Sequence, residues 1–271
     1  MENKTMKENQ NNFFGSGAPK IYNRSSTKRK NAILGLSICW FIYAITIAFI
    51  TAIIVITFAN AFFKSIQNNL PAIITLVIAF IVFLICMIVE HIHGPRLNFW
   101  VQFTLITISM IGLGFFLLSG ALIILLDTYN KDFNNFAAIS KTILVVLAPL
   151  LFMALMGLLA YYDKIKINLL YSFLMVVGIG MIFIFILSFF VWNSWLNAVF
   201  PVLGFALVCG YMAFDLWLIT RYNKAYARTQ SNSPLLSKEV NRLVIYFGFS
   251  LAYNYIIALY YLARIIANFR K

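Results

Sequence analysis

Charge is the scarcest thing in this sequence. Of its 271 residues only 11% are Asp, Glu, Lys or Arg, about half the share found in an ordinary soluble domain. Acid is the rarer sign, with 8 Asp and Glu against 21 Lys and Arg. Histidine occurs only at His91 and His93, so any imidazole-dependent chemistry has to use that one short stretch. The patterns HExxH, GxSxG and GxxxxGK(S/T) are absent, and with them the metalloprotease, serine hydrolase and P-loop mechanisms that need those spacings. The chain reads as a non-enzyme, with no catalytic residue and no resident cofactor expected. Cys39, Cys86 and Cys209 each lie alone in apolar sequence, without a CxxC pair. They argue against a disulfide framework or a zinc knuckle and read as small packing groups.

What the sequence has is apolar length. Hydrophobic residues make up 62% of it, in runs too long for core helices of a soluble fold. A helix needs about 20 apolar residues to cross a bilayer, which makes this an all-α polytopic membrane protein. The segment over 1–31 is polar, basic and without periodicity, and reads as a disordered tail. The expected transmembrane domain covers 32–268, with spans near 32–58, 72–89, 99–126, 142–162, 169–191, 195–220 and 243–268. The fifth and sixth are separated by a length argument. Leu169 to Thr220 as one helix would extend about 78 Å, against a hydrocarbon core of about 30 Å. Trp192 and Trp195 flank the turn between them, where interfacial tryptophans collect.

With seven spans, the tail and the loops between spans 2 and 3, 4 and 5, and 6 and 7 share one side. Most of the 21 Lys and Arg residues fall there. The positive-inside rule then places the N-terminus in the cytoplasm and the C-terminus outside. The same basic residues suit anionic lipid headgroups, which accounts for a net charge of +13 without a nucleic-acid partner. The Phe, Ile, Asn and Lys richness is in keeping with an AT-rich bacterial genome, for which the plasma membrane is the default location.

Asp215, in GYMAFDLWLIT, is the one acid with apolar sequence on both sides. It lies roughly 9 Å along the helix from Arg221. A mid-span acid costs about 2.5–3.5 kcal/mol on insertion scales, so such a residue normally faces protein or a wet cavity. Gly204, Tyr211 and Asp215 recur at i, i+7 and i+11, one stripe of the sixth helix. Two readings follow: a cation or proton site that includes Tyr211, or an acid near enough to the interface to pair with Arg221. In the seventh span, Asn254 sits about 18 Å in from Arg242. Ser250, Asn254, Ala258 and Tyr261 form a stripe of small and polar residues suited to a close helix contact. Asn254 is either packing glue there or part of the site. Arg264, near the outer end, is expected to reach the interface. Glu90 and His93, at i and i+3 of EHIH, are read chiefly as an interfacial cap. They are also candidate pH-responsive neighbours of Asp215, because histidine titrates near neutrality. Three potential ligands on one helix end are too few to signal zinc, and no metal site is expected.

Gly210, Tyr211 and Asp215, together with Ser250, Leu251, Ile256 and Arg264, resemble the Bax inhibitor family, the transmembrane Bax inhibitor motif proteins. The sixth helix of that family ends in a pattern like G-Y-x-x-x-D, and its seventh reads approximately S-L-x-x-D-x-I-N with an arginine further along. NNFAAISKT and AYYDKIKINLLYSFL also look like the family. The resemblance implies seven helices with the last one central. It also implies, for some members, a pH-dependent calcium leak controlled by an aspartate pair between the sixth and seventh helices, and for others, control of cell death or of membrane proteases. Here Asn254 stands in the aspartate position and Ile257 in the asparagine position. Two close carboxylates share a proton because both cannot easily ionise; an amide removes that repulsion and donates permanently. The expectation is a cation leak, with Ca²⁺ as transported ion and a weakened proton switch. Its alternative is a non-conducting membrane regulator that binds a protease or another membrane protein.

Overall fold

The computed structural model describes the backbone of residues 31–67, 70–129, 136–190, 194–228 and 234–269. The expected tail, apart from Asn31, and the side chains of Trp192 and Trp195 lie outside the described set. Seven helices follow in order: α1 Ala32–Gln67, α2 Leu70–His93, α3, α4 Phe136–Tyr161, α5 Ile167–Phe190, α6 Ser194–Arg228 and α7 Pro234–Phe269. Helix α3 is α-helical over Phe99–Leu113 and Ser119–Tyr129 with a π-helical turn, Gly114–Leu118, between. A short 3₁₀ turn, Gly94–Arg96, joins α2 to α3. All seven are long and apolar enough to cross a membrane, and no strand occurs among the described residues. The protein is an all-α, multi-pass bundle.

Several helices outrun their apolar stretches. The polar segment after the first span stays helical through Gln67, and most of RYNKAYARTQSNSPLLSKEVNR, expected as a loop, belongs to α6 or α7. Helix α7 has 36 residues, roughly 54 Å of helix, well beyond the thickness of hydrocarbon. Leaving the lipid does not end a helix whose polar residues have good helical propensity. Pro234 opens α7 at a position where its missing N–H costs nothing.

Helix α7 is the centre of the bundle. In its apolar window 72% of the residues are buried, against none in that of α5. It packs directly on α1, α3, α4 and α6. Small residues set these approaches, as membrane helices lack a hydrophobic drive to associate and rely on close packing. A Cβ added at Gly248 of α7 would lie 2.4 Å from Trp40 Cβ and 2.9 Å from the Phe41 amide nitrogen of α1. Ala44, Ala48 and Ala52, one stripe of α1, are all buried. In the π turn of α3, a Cβ at Gly114 would lie 2.4 Å from the Ala48 carbonyl oxygen. Tyr255, buried in α7, donates its hydroxyl to the Val146 carbonyl of α4 at 3.0 Å. The outward faces of α2 and α5 expose Ile, Val and Phe side chains, among them Ile78, Ile85, Val176, Ile179 and Phe183, as a lipid-facing surface should.

Polar contacts tie the ends together on one side, the face where α1 begins (the first face). Asn223, buried near the end of α6, accepts the Ile33 amide at 3.2 Å and donates to Asn31 Oδ1 at 3.1 Å. Its side chain thereby satisfies one of the free N–H groups at the start of α1. Lys224 Nζ pairs with Asp163 at 2.5 Å and donates to the Tyr161 carbonyl at 3.1 Å, so α6 also holds the α4–α5 turn. Asp163 there has φ of 56°, a left-handed conformation that Asp tolerates better than most side chains.

Candidate functional site

Helix α6 brings Asp215 to face α7 where Ser250 and Asn254, four residues apart, share one side of the helix. Ser250 Oγ donates to Asp215 Oδ2 at 2.6 Å, and Asn254 Nδ2 donates to the same oxygen at 2.8 Å. Hydrogen bonds to a charged acceptor are shorter and stronger than neutral ones. Asp215 is half-buried and Asn254 buried. Among the described residues no donor reaches Oδ1.

The two stripes meet as a seam, with one exception. A Cβ at Gly204 would lie 2.5 Å from the Tyr261 ring, so Gly204 is the notch into which Tyr261 of α7 fits. Ala258, between them and the Asp215 contact, is buried. Tyr211, expected within the site, is 47% exposed and makes no hydrogen bond to Asp215. Both donors on Asp215 come from α7, and Tyr211 is left at the margin. Nor does Asp215 pair with Arg221, whose guanidinium lies 5.1 Å from the centre of the Trp217 ring. Arg264 is exposed, with Nη1 3.4 Å from the Tyr260 hydroxyl.

The EHIH segment is also arranged differently from expectation. Glu90 has no exposed surface, so it is not an interfacial cap. It accepts from Gln102 Nε2 of α3 at 3.3 Å, and the same nitrogen donates to the Arg242 carbonyl of α7 at 3.1 Å. His93 points outward and is exposed. It is His91 that meets α7, its ring 4.9 Å from that of Tyr253 and 5.6 Å from that of Phe249. Glu90 turns into the bundle at the foot of α2, while His93, the last residue of that helix, stays exposed. Among the described residues no group of three His, Cys, Asp or Glu side chains could hold a metal.

Gln102 and Tyr246 are the residues that sequence reasoning passed over. Gln102 left a signal, being the only amide inside the third span. Tyr246 left none, since α7 is rich in tyrosine throughout.

No protein-family model matches the chain, and no curated protein matches it.

Proposed function

We propose that the chain is a cation leak or channel of the plasma membrane, with Asp215 as its ion-binding group and Ca²⁺ as the transported ion. The observation that carries this reading is the Asp215 carboxylate, anchored on Oδ2 by Ser250 and Asn254 and without a donor on Oδ1. Hard oxygen ligands suit Ca²⁺, and the Asn254 amide carries a neutral oxygen of that class. The resemblance to the Bax inhibitor proteins supplies the ion class. On this reading the N-terminus is cytoplasmic, the cell is bacterial, and the exposed Arg96, Lys164, Lys166 and Lys238 meet anionic headgroups.

The amide at 254 gives the site its particular character. Its N–H₂ donates to Asp215 at any pH, whereas an acid at that position would hold the pair only by sharing a proton. The proton switch at this seam is accordingly weak. Ca²⁺ flux into proteoliposomes, measured across pH, tests the proposal. The wild type should conduct with a shallow pH dependence, and Asp215→Asn should lose at least about tenfold of the flux, equivalent to 1.4 kcal/mol, while keeping its helical signal. Asn254→Asp should make the pH dependence steep. Identical pH profiles for the wild type and Asn254→Asp would remove the proton argument. A wild type that passes no cation would leave the non-conducting regulator in its place.

A further inference from the structure

A second acid is linked to α7 through Gln102 of α3. Glu90 and Gln102 are both fully enclosed. The two N–H groups of Gln102 are both used, one on Glu90 Oε1 and one on the Arg242 carbonyl. Two oxygens are left without partners: Glu90 Oε2 and Gln102 Oε1. These are the two atoms that close a carboxylic acid–carboxamide pair. In such a pair the amide N–H donates to one carboxyl oxygen and the acid O–H donates back to the amide oxygen. Only the first half exists here with a carboxylate, because both remaining atoms are acceptors. One proton on Oε2 converts it to a donor, the kind of group that the Gln102 oxygen lacks.

The surroundings favour the neutral acid. A Cβ at Gly94 would lie 2.7 Å from Glu90 Oε1 and 2.7 Å from Tyr246 Cδ2, so the 3₁₀ turn and α7 close over the carboxyl with little room for a hydrated ion. The charged and titratable neighbours do not neutralise it. Arg242 directs Nη2 to Asn98 Oδ1 at 3.1 Å, and Arg96 and His93 are exposed. His91 Nδ1 lies 3.0 Å from the Met87 carbonyl, with its ring against Phe249 and Tyr253. Tyr246 of α7 lies over the same Gly94 turn and brings no positive charge. Among the described residues Glu90 forms no ion pair. A buried charge without a counter-charge is strongly disfavoured.

We propose that Glu90 and Gln102 form a proton-binding site. The protonated pair clamps α2 and α3 to α7 through the Arg242 carbonyl, and loss of the proton loosens that junction. Oε2 takes one proton from water and no other bond changes. This site is independent of any cation at Asp215, and its test does not involve flux.

The experiment is infrared spectroscopy of the full chain in lipid, labelled with ¹³C at the glutamate side-chain carboxyl so that aspartates do not contribute. At neutral pH the wild type should show a labelled protonated-carboxyl band that disappears as pH is raised. Glu90→Gln should lack the band while keeping its fold, since the substituted amide can donate to Gln102 as the acid does. Asp215→Asn should leave the band in place. A labelled wild type without the band at neutral pH overturns the proposal, whether or not the variant folds. So does a band that Glu90→Gln retains. A band that appears only when Ca²⁺ or Na⁺ is chelated away or omitted also overturns it, because a metal cation would then be the occupant.

Discussion

Two acids reach the same central helix, and the bundle treats them in opposite ways. Asp215 is half-buried and receives two short hydrogen bonds on one oxygen. Glu90 is wholly enclosed, receives one longer bond, and its donorless oxygen, unlike that of Asp215, is buried. Depth alone does not decide which of them stays charged. Donors make a carboxylate tolerable inside a bundle; where the only neighbour is an amide with its oxygen turned inward, a proton has to do that work. Helix α7 thus carries an anion-stabilising seam toward α6 and a proton-accepting junction toward α2 and α3.

The comparison breaks most sharply at Gln102. Gln102→Leu strips the partner from Glu90 and from the Arg242 carbonyl at once, leaving buried polar groups unpaired. The expected loss is about 3 kcal/mol, read as a lowered thermal midpoint in lipid or detergent. Little change there would mean that the junction opens to water and the contrast with Asp215 is unfounded. Ser250→Ala should cost less, about 2 kcal/mol for one bond to a charged acceptor, and should weaken the seam without moving the Glu90 band. Combined with Gln102→Leu, its effect should be additive within about 0.5 kcal/mol, as for separate sites; strong coupling would show that the two acids are linked through α7. The smallest effects belong to His93→Ala and Tyr211→Phe. Both side chains are largely exposed, and neither substitution should shift the thermal midpoint or the pH response. A shift with His93→Ala would restore the imidazole to the site.

Much of the site was legible in one dimension. An aspartate and an asparagine deep in apolar sequence identify themselves, and the i, i+4 spacing of Ser250 and Asn254 puts both on one side of α7. The burial of Glu90 was not legible. A carboxylate next to the polar turn GPRLN has the sequence signature of a solvated helix end, and only the packing of α3 and α7 over it removes the solvent. Tyr211 fails in the opposite direction: it shares a stripe with Asp215, yet it stays half-exposed with no bond to the carboxylate.

Sequence alone determined that this chain is seven membrane-length helices, because hydrocarbon thickness sets how long an apolar run must be and charge is too costly to hide within one. It also determined that Asp215 must find shelter. Which helix provides the shelter, which acid is wholly enclosed, and that α7 lies at the centre were decided by tertiary structure. Lipid and protein interior are both apolar, so a membrane helix has no strong polar face to tell inward from outward. That distinction comes into being only when Gly248, Gly204 and the alanines of α1 let particular backbones meet.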